Sequence, residues 1–161
     1  MADAGREPGS GAVFRRRPGG SFEEMATALP RPGGLAASPD GTVYVTDTEH
    51  GTILKIKASG EVSPLMIGGL SQPHGLALAP DGALYVADTY NHRVQRLSPT
   101  GDVRTLAGGF AYPSGVALDA AGNVYVTDTG HGALQKISPA GIVTALPEVG
   151  TGLAGPTAGR R

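Results

Sequence analysis

The chain has 161 residues, of which 17% are charged, a net charge of −1, 26 Gly, 13 Pro and no Cys. That length suits one ordinary domain. The charge balance excludes a nucleic-acid protein held by bulk charge and a chain kept open by self-repulsion. Without Cys there is neither a disulfide nor a thiolate metal site.

In chain order, residues 1–11 read as a disordered tail. The start, Met1 to Glu7, lacks the apolar core of a secretory signal, and no run approaches the roughly 20 apolar residues of a membrane span, so the expected location is cytoplasmic. Residues 12–29 read as the remnant outer strands of an earlier repeat. Shifted by 40 positions, Val13-Phe14-Arg15 falls on Ile53-Leu54-Lys55, and Gly20-Ser21-Phe22 falls on Gly60-Glu61-Val62. The short basic run Arg15-Arg16-Arg17 is weak evidence for phosphate or membrane contact in a chain of this net charge.

Three copies of one unit follow, over residues 30–70, 71–110 and 111–149. Val43-Tyr44-Val45-Thr46-Asp47-Thr48 returns as Leu84-Tyr85-Val86-Ala87-Asp88-Thr89 and again as Val124-Tyr125-Val126-Thr127-Asp128-Thr129. Asp88 follows Asp47 by 41 positions, and Asp128 follows Asp88 by 40. Pro32-Gly33-Gly34, Pro73-His74-Gly75 and Pro113-Ser114-Gly115 keep the same step, as do Gly60, Gly101 and Gly141. The middle copy predicts four strands, at about 75–79, 83–87, 93–98 and 102–106. They are separated by the turn Pro80-Asp81-Gly82, the polar turn 88–92 and the turn Pro99-Thr100-Gly101. In the third strand, Val94 and Arg96 are expected on one face and Gln95 and Leu97 on the other. Residues 150–161 read as a flexible tail. Four-stranded units of about 40 residues, with near-continuous apolar second strands, are blades stacked on both faces. The expected fold is all-β: a partial β-propeller with blades of four antiparallel strands.

The middle copy, Pro73-His74-Gly75-Leu76-Ala77 through Asp88-Thr89-Tyr90-Asn91-His92-Arg93, resembles the NHL repeat, with Asn91-His92 at the Asn-His of that name. The outer copies depart from it, with His50-Gly51 and His131-Gly132 in place of Asn-His, and Thr52 and Ala133 in place of Arg93. The resemblance covers about residues 30–146. It implies a module that binds a protein or a small-molecule ligand through one rim or through the channel. It also leaves open a propeller enzyme, a lyase or a hydrolase of the SMP-30/gluconolactonase type, whose site residues are mostly missing from this chain. Binding is preferred to catalysis. The stretch is expected to be a fragment, a half ring that self-associates through open blade faces, or an open arc.

A residue present in every blade serves the blade, and a site needs a feature that does not repeat. By that test Asp47, Asp88 and Asp128 are structural, each accepting N–H bonds of the turn it opens. Asp40 and Asp81, replaced by Ala121 in the third copy, have a dispensable turn role. His50, His92 and His131 sit in equivalent turns of different blades and are not expected to converge on one metal ion. The position after the repeat Pro faces the channel and reads Gly33, His74 and Ser114. These are the candidate channel ligands. In amidating lyases, which the repeat also resembles, Pro-His at this position holds zinc, but one His of three cannot hold a catalytic zinc. Streptogramin lyases resemble the same blade, with Thr-Glu where this chain has Asp-Thr. Tyr90, Arg93 and Arg104 occur in the middle copy alone and are candidate interface residues. No cofactor, metal or nucleic-acid partner is expected, and there is no P-loop, dinucleotide motif or nucleophile elbow.

Overall fold

In the computed structural model, which describes residues 2–3, 9–65 and 69–147, the described chain forms four sheets that follow one another in sequence. β1 (Ala2–Asp3), β2 (Gly11–Arg16) and β3 (Phe22–Leu29) make a three-stranded sheet in that order. Blade one is β4 (Pro32–Ala37), β5 (Val43–Asp47), β6 (Thr52–Ile56) and β7 (Val62–Leu65). Blade two is β8 (Pro73–Leu78), β9 (Leu84–Asp88), β10 (Arg93–Leu97) and β11 (Val103–Gly108). Blade three is β12 (Pro113–Leu118), β13 (Val124–Asp128), β14 (Ala133–Ile137) and β15 (Val143–Ala145). Every paired neighbour is antiparallel, and each blade is a simple meander of propeller type. No helix among the described residues is long and apolar enough to cross a membrane.

The turns follow from the residues that form them. Gly41, Gly82 and Gly122 close the first hairpins at φ of 81–85°, where a side chain would be strained. Asp40 and Asp81 each accept the N–H two residues on, at 2.9 and 3.0 Å. In the third copy that role is not dispensed with but moves back two positions. Asp119 Oδ1 accepts the N–H groups of Ala121 and Asn123, both at 2.9 Å. The polar turn 88–92 is a 3-10 turn over Thr89–Asn91, closed by His92 at φ 56°. His92 is therefore not equivalent to His50 and His131. It stands where the other blades have Gly51 and Gly132, at φ 62° and 63°, while Asn91 occupies the histidine position.

Of the expected disordered tail, residues 1–11, positions 1 and 4–8 lie outside the described residues. Ala2 and Asp3 pair with Val13 and Ala12, and the Gly9 N–H donates to Pro30 O at 3.3 Å. The expected C-terminal tail, residues 150–161, lies outside the described residues.

Each core lies between successive sheets, so both faces of a blade are apolar. Gln95, expected opposite Val94, is buried as well. One position on the third strand of each blade acts as a knob that enters the next blade. Val13 packs with Val43, Val45, Leu54 and Ile56. Ile53 packs with Leu76, Leu84, Val86 and Leu97, and Val94 with Val124, Val126 and Ile137. Leu29, Leu70 and Phe110, each three residues before the repeat Pro, fill the same cores. Val13, Ile53 and Val94 are 1%, 0% and 0% exposed, whereas Leu134, the fourth member, is 41% exposed. Blade three thus presents an uncovered knob among the described residues.

The inner strands approach closely. A Cβ on Gly34 would collide with His74 O, and one on Gly75 with Ser114 O. At Gly115 the nearest atoms would be those of Thr127, in its own blade. Hydroxyls stitch the junctions: Thr46 Oγ1 donates to His74 O at 2.8 Å and Thr89 Oγ1 to Pro113 O at 2.8 Å.

Candidate functional site

The inner strands β4, β8 and β12 start, and the second strands β5, β9 and β13 finish, at one end of the blades, which forms a rim. Pro73, for example, pairs with Asp88. The buried carboxylates at these strand ends organise the rim. Asp88 Oδ1 accepts the Ser71 N–H at 2.7 Å, and its Oδ2 accepts Arg93 Nε at 2.7 Å and Asn91 Nδ2 at 2.9 Å. Asp128 Oδ1 accepts the Ala111 N–H at 2.7 Å, and its Oδ2 meets His131 Nδ1 at 2.8 Å. These two carboxylates hold the segment leading into the inner strand, not the N–H groups of the turn they open, which corrects the expectation. Asp47 differs from both: its Oδ1 accepts the N–H groups of Glu49 and His50 in its own turn, both at 3.1 Å. Its counterpart to Ser71 and Ala111 is Pro30, which has no N–H to give.

Burial pushes the Asp128 carboxyl up, but bonds from His131 and Ala111 together with the His131 charge outweigh it. The group sits below its ordinary range. The His50 imidazole is raised above its ordinary value by its hydrogen bond to Asp47 and then by that carboxylate's charge. His50 Nδ1 lies 2.8 Å from the buried Asp47 Oδ2, and its ring is largely exposed. That contact fixes the neutral tautomer with the proton on Nδ1, so Nε2 points outward as an acceptor, or as a donor once the ring is protonated.

Between blades one and two this rim opens into a cavity of about 440 Å³. It is lined by Arg31, Thr48, Glu49, His50, Gly51, Leu70, Ser71 and Gln72. Gln72 is held at φ 43° immediately before Pro73, a conformation disfavoured before proline. The equivalent positions at the next junction are aromatic and in contact. Tyr90 and Tyr112 meet edge to face at 5.5 Å, and His92 and Tyr112 at 4.8 Å. Tyr112 also takes a positive φ, 52°, and its N–H donates to His92 Nδ1 at 3.3 Å. Thus Glu49, Gly51 and Gln72 leave open at one junction what Tyr90, His92 and Tyr112 fill at the other.

The channel candidates are next to this rim but are not one cluster. His74 Nδ1 lies 3.0 Å from Gln72 O and 3.3 Å from Thr89 Oγ1. Ser114 Oγ is engaged with Thr127 and Thr129 at 2.9 and 2.7 Å. A Cβ on Gly33 would press on Thr46 and Thr48. Among the interface candidates, Tyr90 is exposed on the rim. Arg93 turns inward to Asp88 and to Gly69 O, and Arg104 lies on the outer strand β11. Among the described residues no group of three or more His, Asp or Glu side chains could hold a metal ion. The cavity residues Arg31, Glu49, Ser71 and Gln72 do not stand out in the sequence. Their one signal there is that they differ from their counterparts at the next junction.

The model of the Virginiamycin B lyase family matches residues 8–157. Among solved structures, a catalytically inactive virginiamycin B lyase from Staphylococcus aureus with quinupristin is similar at 18% identity and a TM-score of 0.71. The match covers 84% of this chain and 48% of that one. A streptogramin B lyase structure is similar at 19% identity and a TM-score of 0.70, over 84% and 47%. A nidogen/laminin complex gives 25% identity and a TM-score of 0.76, over 84% and 56%. The chain therefore spans about half the length of these structures. No curated protein matches.

Proposed function

We propose that this chain, which belongs to the Virginiamycin B lyase family, is a propeller module of NHL-like repeats that binds a small polar ligand at the rim between blades one and two. One observation carries this reading: the cavity there is lined by Arg31, Glu49, His50, Ser71 and Gln72, whose counterparts at the next junction are the different residues Gln72, Tyr90, Asn91, Ala111 and Tyr112. Stacking constrains the residues that face neighbouring blades, whereas rim residues are free to serve recognition. His74, whose Nδ1 lies 3.0 Å from Gln72 O, then borders the site from the channel side, while Ser114 belongs to the inner strand of blade three. Tyr90 extends the rim, and self-association through the outward face of blade three is a separate proposal.

The test is a small-fragment screen followed by amide chemical shifts of the whole chain. Binders are expected to move Glu49, His50, Ser71 and Gln72. Binders that map only to the outer strands, or none at all, overturn the reading.

A second reading, that the blades contribute to a lyase, is favoured by the family to which the chain belongs. It predicts that quinupristin, the compound bound by one similar lyase, is consumed by the purified chain. Quinupristin recovered unchanged after long incubation counts against it.

A further inference from the structure

The cavity also has a chemical preference. Arg31, at its edge, has a guanidinium with no partner among the described residues; only its backbone oxygen is used, by Thr48. On the same wall, His50 turns Nε2 outward because Nδ1 is pinned to Asp47. Asp47 itself is buried and fully engaged by His50 and two N–H groups. Its charge therefore supports the imidazolium and does not face a ligand. Glu49 is the one other charged group on the wall, a carboxylate beside the two basic groups.

Resting on the reading that this cavity is a binding site, we propose that its ligand carries a carboxylate held between Arg31 and His50. A planar guanidinium donates two parallel N–H bonds to a carboxylate, and a protonated imidazole adds a third, charge-assisted one. His50 gives that bond only while protonated, and its link to Asp47 keeps it protonated to higher pH than a free imidazole. Glu49 opposes the same anion and acts as the selectivity element against ligands of higher negative charge. Recognition is then tightest below the His50 titration and weakens above it, leaving Arg31 alone.

The experiment titrates the labelled full chain with sodium acetate, methylammonium chloride and glycerol, against sodium chloride at matched ionic strength. Acetate is expected to shift the amides of Glu49, His50, Ser71 and Gln72 saturably. Arg31→Gln should weaken the response threefold or more. Glu49→Gln should strengthen it. His50→Gln should weaken it at pH 6 and leave it unchanged at pH 9. If methylammonium or glycerol saturates these signals and acetate does not, the carboxylate assignment fails while the site stands. If none of the three moves them, both fall. Equal acetate responses in the parent chain and Arg31→Gln, with folding confirmed by the remaining amides, overturn the assignment of Arg31.

Discussion

The knob series offers an internal control that few proteins provide: one repeat position in two environments. Ile53 and Val94 are fully enclosed by the next blade, while Leu134 is 41% exposed. Ile53→Ala and Leu134→Ala each remove three carbons, and Val94→Ala removes two. Each buried carbon is worth about 0.8 kcal/mol, and an enclosed site adds a cavity penalty, so fully buried Ile→Ala costs about 2–5 kcal/mol. Ile53→Ala should therefore cost about 3–4 kcal/mol and Val94→Ala about 2 kcal/mol. Leu134→Ala, with part of its transfer energy never realised and no closed cavity left behind, should cost under about 1 kcal/mol. Urea unfolding followed by far-ultraviolet circular dichroism at several protein concentrations measures all three. The reasoning fails if Leu134→Ala is as damaging as Ile53→Ala. A concentration-dependent midpoint in the parent that this change abolishes would identify a second copy covering blade three.

Three further expectations concern the junctions and the rim. Gly75→Ala drives a methyl into Ser114 O of the next blade and should cost about 2 kcal/mol or more. Gly115→Ala presses on the Thr127 hydroxyl of its own blade, which holds the Gly115 N–H, and not on backbone of a neighbouring blade; it should cost less than Gly75→Ala, measured by the same unfolding curves. Asp88→Ala leaves Arg93 and the Ser71 N–H without their buried acceptor and should cost about 3 kcal/mol; a loss under about 0.5 kcal/mol would show that the carboxylate does not hold this loop. In a ring-proton titration, His50 should titrate above its ordinary value and return toward it in Asp47→Asn. Because the folded value is raised, the stabilisation is fully present below the unfolded pKa and is lost as pH rises through the folded one. An unchanged His50 titration in Asp47→Asn would remove the stated cause.

The blades were legible because stacking repeats its demands every 40 residues or so. The Tyr-Val pair of the second strand with Asp two residues on, the Gly two residues after the repeat Pro, and the Gly that closes the first hairpin each answer one recurring contact. The polar partners were less legible. Asp88 and Asp128 reach Ser71 and Ala111, 17 positions earlier in the chain, and local turn chemistry carries no sign of a bond across that distance. His92 resembles His50 in residue type alone; the alignment sets it opposite Gly51 and Gly132, and its conformation agrees, with φ of 56° against 62° and 63°. The cavity was not legible as a cavity, since Glu49, Ser71 and Gln72 match no motif and become neighbours only when β8 starts beside the end of β5.

The two junctions bear on where function can reside in such a molecule. Their buried parts are built alike: Ile53 and Val94 are both knobs, Leu70 and Phe110 both fill cores, and a threonine hydroxyl bridges to the next inner strand at each, from Thr46 at the first junction and from Thr89, two positions further along its repeat, at the second. Their rims are not: one is a polar hollow, the other a contact of three rings. Selection for stacking acts on side chains directed between sheets, where one misplaced methylene is felt. It does not act on Glu49 against Tyr90 or Gln72 against Tyr112, whose side chains leave the stack. What distinguishes the two rims is therefore not set by the stack, and at the first junction the exposed groups, Arg31, Glu49, His50 and Gln72, are the ones on which the proposed ligand site rests.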